Sequence, residues 1–422
     1  MQSKPSRIAV AIASVVAFGV LATTYVSASS TEKVIFRFYK KIGYGPVGTL
    51  IFDASGNLYG VTGEYSTTNS VYQLSPGANG TWTGKVLHYF KFGHNDGLTP
   101  TGGLIFDAAG NLYGTTWDGG SHGQGVAFEL VHGATAWSER VLHNFGHGQD
   151  GAAPSGGLIF DKAGNLYGVA ANGGAYSSGT VFQLSPGANN TWTESVLYSF
   201  QDNSVDGRSP SGSLAIDAAG NLYGTTQVGG ANGGGGIVFE LSPGANGTWT
   251  YSVLYNFCSA AKCADGGAPL GSLIFDAAGN LYGVTLVGGA SQCGNDTCGV
   301  VFELTPSGGT WTETVLHSFE GGLKDGSEPN APLIFDSAGN LYGTTMKGGQ
   351  YCSYYHDCGV AFELSPSGGA WTETVLHNFS DSRKQEDGAR PLGGLIFDSA
   401  GNLYGVTSEV WNGSGAAYEI TP

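Results

Sequence analysis

Apolar and polar positions alternate in short runs along this chain. In residues 332–379 the runs are PLIFD (Pro332 to Asp336), NLYGTT (Asn340 to Thr345), GVAFELSP (Gly359 to Pro366) and WTETVLHNF (Trp371 to Phe379). Each is rich in Val, Phe, Tyr, Thr and Leu and is bounded by Gly, Pro, Asp or Asn, which predicts β-strands. No helical period competes. The link DAAGN between the first two runs suits a tight hairpin, with Gly in the left-handed region and Asp bonding nearby backbone N–H groups. A second Gly-rich link, SPGANGTW or SPSGGAW, joins the third run to the fourth. Four consecutive antiparallel strands with short links form a meander.

The whole pattern recurs. GNLYG begins at Gly56, Gly110, Gly164, Gly220, Gly279, Gly339 and Gly401, at spacings of 54, 54, 56, 59, 60 and 62 residues. Seven four-stranded meanders predict an all-β chain folded as one seven-bladed β-propeller over residues 29–422. A β-helix is the competing repeat architecture, but its coils are far shorter than these units. The chain ends provide an independent test: the last copy stops after its third strand, GAAYEITP, while TEKVIFRF at Thr31 to Phe38 matches the fourth-strand pattern TETVLHNF. Pairing the spare strand with the incomplete blade closes the ring and removes exposed edges.

Composition agrees with strands and turns: 72 of 422 residues are Gly and 12% are charged. Met1 to Ala28 reads as an export signal, with Lys4 and Arg7 ahead of an apolar run from Ile8 to Leu21 and a small-residue site ending at Ala28. An uncleaved N-terminal anchor is the alternative. Removing Lys4 and Arg7, and no acid, takes the net charge from −16 to −18. That balance argues against nucleic acid and anionic lipid as partners, since both demand clustered Lys and Arg. A monomer, secreted or held in the periplasm or at the cell surface, without a membrane span after signal removal, is expected.

The GGLIFDAAGNLYGTT core (Gly102 to Thr116), the GVAFELSP strand and the WTETVLHNF strand resemble the bacterial tandem repeats called GloVer, found in choice-of-anchor surface and exported proteins. More distantly, GGLIFDAAGNLYG is similar to the NHL and SMP-30-like propellers. The resemblance covers nearly all of the chain after the signal and implies the fold and export. It transfers no catalytic residue. The chain ends at AAYEITP without the sorting signal that many such proteins carry, so covalent surface attachment is not expected.

In each meander the first-to-second and third-to-fourth turns lie at one end, where the copies agree. The second-to-third loops and the crossovers lie at the other, where they differ, and binding chemistry is expected on that variable face. All six cysteines fall there in local pairs, Cys258 with Cys263, Cys293 with Cys298 and Cys352 with Cys358. With an export signal they read as three disulfides; a zinc site from the first two pairs is the alternative. An Asp-Gly pair precedes Pro in six crossovers, at Asp96, Asp150, Asp206, Asp265, Asp325 and Asp387. These aspartates are expected either to cap independent turns or to form a carboxylate ring for Ca²⁺; otherwise neither a cofactor nor a metal is expected.

Departures from the repeat single out other residues. Trp82, Trp137, Trp192, Trp249, Trp311 and Trp371 share the fourth-strand position and read as packing, whereas Trp117 and Trp411 lie in variable loops of the second and seventh blades. Ring closure would place Tyr44, Tyr65, Phe92 and His94 between them, with the carboxylates of Glu64, Asp118 and Glu409 nearby. Aromatic faces flanked by hydrogen-bond acceptors suit a pyranose, so a binding module for polysaccharide or cell-surface glycan is the leading expectation. The alternative is a polysaccharide hydrolase or lyase using Glu64, Asp118 or Glu409 as acid and base. A purely structural surface protein is the third reading. His122, His147 and His356 read as loop histidines. A GxSxG nucleophile elbow, an HExxH motif, a phosphate loop opening a helix and an EF-hand loop are absent.

Overall fold

The computed structural model describes residues 30–422 apart from 64–67, 94, 135, 204, 291, 294–295, 324, 351–357, 381–386 and 410–413. The segment read as an export signal, Met1 to Ala28, lies outside the described residues. No described helix is long and apolar enough to cross a membrane.

Seven small antiparallel sheets form a seven-bladed propeller. Blade 1 runs outwards through Pro46–Phe52, Leu58–Thr62, Ser70–Pro76 and Trp82–Tyr89. The seventh sheet is completed from the other end of the chain: Thr31–Arg37 pairs antiparallel with Ala416–Thr421, beside Leu403–Thr407 and Ile396–Phe397. The expected closure by the spare N-terminal strand is therefore present.

The seven hairpins are alike. In each, one Asp oxygen accepts two backbone N–H groups and the other accepts from Asn and Tyr side chains; for Asp161 the donors are Ala163 N, Asn165 N, Asn165 Nδ2 and Tyr167 Oη, at 2.7–3.1 Å. The hairpin Gly has φ between +80° and +89° in every copy, which favours Gly.

Between blades, the final Phe of one outermost strand packs on the third-strand aromatic of the next, as in Phe90 with Phe128 at 5.2 Å and Phe145 with Phe182 at 4.8 Å. The hairpin Tyr meets the following blade's Phe and Trp, as Tyr59 does with Phe106 and Trp137. The repeat tryptophans are thus packing residues, as expected.

Two features differ from the sequence reading. First, PLIFD is only half of the innermost strand. In blade 2 that strand has two parts, Gly97–Pro100 and Ile105–Phe106, and in blade 4 it runs unbroken from Gly207 to Ile216 with a register shift. The Asp-Gly pair opens this strand instead of lying in a free crossover. The residue before each Pro is left-handed: Thr99, Ala153, Ser209, Ala268, Glu328 and Arg390 have φ of +52° to +56°, and Gly45 has +58°. Such strain costs on the order of 1–3 kcal/mol per residue and needs support. The preceding blade supplies it, since the N–H groups of Ala153, Ser209, Ala268, Glu328 and Arg390 donate to its carbonyl oxygens at 2.8–3.0 Å.

Second, the six aspartates do not ring a common ion; Asp96, Asp206, Asp265 and Asp325 do accept backbone N–H groups of their own crossovers, as turn caps should, but their roles reach beyond the turn. Each is set into its own junction between neighbouring outermost strands, far from the axis. Asp96 accepts from His88 of blade 1 and lies beside Glu139 of blade 2; the sets His143, Asp150, Glu194 and His317, Asp325, Glu373 and His377, Asp387, Glu32 repeat the arrangement. Burial pushes Glu32, Glu139, Glu194 and Glu313 up to about 7 and Glu373 up to about 8. Of the two remaining Asp junctions, one replaces both partners and the other keeps its Glu, Glu313. Asp206 is held by the hydroxyls of Tyr198 and Tyr251, whose rings stack at 4.0 Å, and Asp265 by Tyr255 and Ser259. At the closure, where Asp is missing, Ile42 stands with Phe36 and Gly84 in an apolar contact.

Candidate functional site

Backbone crowding builds the site. In the innermost strands the segment Pro-x-Gly-x-Leu bulges towards the axis, with Ala331 in place of Gly in the sixth blade, and the Gly lies against the backbone of the next copy. A Cβ on Gly102 would strike Gly156 and Gly157, one on Gly156 would strike Gly212, and one on Gly393 would strike Gly48. Small residues, Gly in six copies and Ala in one, therefore allow seven chains to converge around what remains.

What remains is a cavity of about 470 Å³ lined by six or more blades' innermost strands. Its polar wall is Thr49, Thr101, Ser155, Ser211, Ser213, Ser272, Gln227 and Asn330; Ile51, Leu104, Ile105, Leu158, Leu270, Leu392 and Trp117 supply apolar surface. No charged side chain is among the lining residues. A smaller space of about 260 Å³ adjoins it, bounded by Val47, Gly63, Thr99 and Pro100 and sharing Asn330 and Leu392.

Two of the hydroxyl protons are already committed. Thr101 Oγ1 donates to Pro154 O at 3.1 Å and Ser155 Oγ to Pro210 O at 2.7 Å, each reaching the next blade. A hydroxyl has one donor and two acceptor lone pairs, so these groups offer a ligand acceptors only. Asn330 Oδ1 is a buried acceptor with no partner in the protein.

Trp117 follows the second strand's inward-paired Thr116, which lies opposite Pro100. The same register holds Gly63, Ala171, Gln227, Leu286, Met346 and Ser408 in the other blades. Seven unlike side chains therefore ring the variable-face end of the channel, and Trp117 and Gln227 line the cavity.

The other expected site residues that are described do not gather there. Phe92 is 86% exposed and Tyr44 is half-buried in the first crossover; neither lines the cavity. Asp118 is exposed beside Trp117, as strand alternation requires. Glu409 is bonded to Arg390 Nη1 at 2.9 Å, and that guanidinium also contacts Met346 Sδ at 3.7 Å. Glu64, Tyr65, His94, Trp411 and His356 lie outside the described residues. His122 and His147 contact each other at 5.5 Å between ring centres, away from the cavity lining.

Of the expected disulfides, Cys258–Cys263 is present. Cys298 and Cys358 are fully buried; Cys352 lies outside the described residues, and the side chain of Cys293 does too. Gln227 and the hydroxyl ring were not singled out by sequence. The signal that would have found the hydroxyls is the varying x of Pro-x-Gly-x-Leu, which changes while its neighbours repeat, and Gln227 occupies the same varying position as Trp117.

The Gloeobacter/Verrucomicrobia repeat matches residues 63–295 and 236–422 of the chain. No curated protein matches it. Among solved structures, the "extracellular domain of the putative hybrid two component system" from B. thetaiotaomicron is similar at 12% identity and a TM-score of 0.55; the match covers 91% of this chain and 39% of that one. A protein of unknown function from Dyadobacter fermentans is similar at 11% identity and a TM-score of 0.44, covering 93% of this chain and 98% of that one. At 12% identity the first of these likenesses speaks to the fold alone.

Proposed function

The chain belongs to the Gloeobacter/Verrucomicrobia repeat family, and we propose that it is an exported binding module for uncharged carbohydrate, held at the variable-face end of its axial channel. One observation carries this reading: Trp117 stands over a cavity whose polar wall is entirely hydroxyl and amide. A pyranose presents an apolar face that stacks on an aromatic ring and an edge of hydroxyl donors that seek acceptors. The committed hydroxyls and Asn330 Oδ1 are acceptors of that kind. Charged ligands have no counter-charge in the lining, which favours neutral sugars over uronic acids or phosphates.

Export rests on the leader-like segment before Ala28 and on the local pairing of Cys258 with Cys263, which suits an oxidising compartment. The hydrolase or lyase reading gains no support from the geometry, because no carboxylate lines the cavity and Glu409 is engaged by Arg390.

Screening the purified protein against a neutral polysaccharide and oligosaccharide panel, followed by calorimetry, tests the reading. Trp117→Ala and Gln227→Ala should each weaken binding at least tenfold, while Phe92→Ala leaves it unchanged. Binding that survives both cavity substitutions, or no binding to any glycan, overturns it. Release of reducing ends would establish the enzymatic alternative instead.

A further inference from the structure

We propose that the four His–Asp–Glu junctions between blades are divalent-cation sites of the zinc type. Each brings one imidazole Nε2, one oxygen of the Asp that opens the next innermost strand, and one oxygen of the next blade's Glu within 4.8 Å of one another. Imidazole with two carboxylates suits a first-row divalent ion, and three oxygen-poor ligands are too few for Ca²⁺.

Unused ligand atoms point to a ligand independently of the cluster's composition. The Asp387 side chain is only 5% exposed, one oxygen bonds His377 Nε2 at 2.7 Å, and Oδ1 has no partner. Asp150 repeats this with His143. In all four junctions the Glu has a buried Oε1 with no partner: Glu32, Glu139, Glu194 and Glu373. Burying acceptors unpaired is costly, and a cation with two units of charge would satisfy both carboxylates at once. At the first junction a cleft of about 400 Å³ runs past His88, Asp96 and Glu139, leaving room for water to complete the shell.

The molecule also contains its own metal-free version. Where His and Glu are both replaced, by Tyr198 and Tyr251, their hydroxyls bond both Asp206 oxygens at 2.9 and 2.6 Å and leave neither unpaired. The Asp265 junction is intermediate: Tyr255 and Ser259 take the place of the imidazole while Glu313 is kept. The closure loses all three polar groups together.

The test uses the full exported chain, oxidised so that its cysteines stay paired, stripped with EDTA and titrated with Zn²⁺. The expected result is four equivalents by elemental analysis and calorimetry, a higher melting temperature, and an X-ray absorption first shell of one nitrogen and two or more oxygens. The double substitution His143→Tyr with Glu194→Tyr copies the neighbouring junction and should fold normally with one equivalent fewer. Glu194→Gln, which keeps the His143–Asp150 bond, should weaken that site at least tenfold. Binding of less than one equivalent, or a count unchanged by both variants, overturns the proposal, as does a sulfur-containing shell.

Discussion

Five third strands place a fully buried Phe against the preceding blade: Phe128, Phe182, Phe239, Phe302 and Phe362. The other two place Tyr72 and Tyr418 there. Both phenol oxygens are buried without a hydrogen-bond partner. The rings themselves occupy the same place in all seven copies. Measured from the position of a Cβ on the facing glycine, Cζ is 2.7 Å away for Tyr72 and 2.6 Å for Tyr418, against 2.5–2.7 Å for the five phenylalanines. Replacement by Phe therefore removes only the hydroxyl and requires no repacking. An unsatisfied buried hydroxyl costs about 1–3 kcal/mol, so Tyr72→Phe and Tyr418→Phe should each stabilise the fold by about 1 kcal/mol or more. The two sites pack on different residues, Phe38 and Phe379, and belong to separate clusters; their effects should add. The assay should be urea denaturation, because at about 2 cal/mol/K per residue a chain of this length shifts its melting temperature by only about 1 °C per kcal/mol. The expected outcome is a higher midpoint at unchanged slope. Destabilisation by about 1 kcal/mol in either variant would refute the reasoning and show that the hydroxyl has a partner, such as an internal water.

Gly84→Glu alone should destabilise the closure by at least about 1–3 kcal/mol, since a Cβ there would lie 2.6 Å from Phe36 Cζ and 3.3 Å from Ile42 Cδ1; adding Phe36→His and Ile42→Asp should recover much of the loss in urea denaturation. In the hairpins, burial alone would raise the Asp carboxyls, but bonds from Asn, Tyr and backbone N–H groups outweigh it and hold Asp53, Asp161, Asp336 and Asp398 below the ordinary value. A depressed folded pKa contributes stability that is complete above the unfolded value near 4 and is lost as pH falls through the folded one. Unfolding followed by circular dichroism should show this acid loss, and Asp161→Ala should make it shallower while lowering stability at neutral pH. Deleting residues 1–37 should leave Ala416–Thr421 as a bare edge and increase self-association over that of the full chain, measured by light scattering.

The blade count, the closure and the hairpin chemistry were legible because repetition exposes them: a residue type kept at the same offset seven times is kept by the scaffold. Departures from the repeat picked out Trp117, which lines the channel, and equally Phe92, which faces solvent. The difference is that Trp117 belongs to a paired strand whereas Phe92 sits in a loop with no register at all. Strand parity explains why the junction clusters were not read. Glu373 and His377 are four apart in one strand, a spacing that predicts a shared face. A bulge intervenes, because Phe362 pairs with Val375 and Ala361 with His377, leaving Leu376 as the extra residue. His377 is thereby turned towards blade 7 while Glu373 faces blade 5. The same extra residue occurs in all seven outermost strands. One inserted residue thus gives each blade one half of a cluster on either side, so that a cluster is completed only by its neighbour. A point change in one blade should consequently be felt as a weakened junction and not as a weakened sheet, and the concerted replacement of Phe36, Ile42 and Gly84 at the closure is what such a constraint requires.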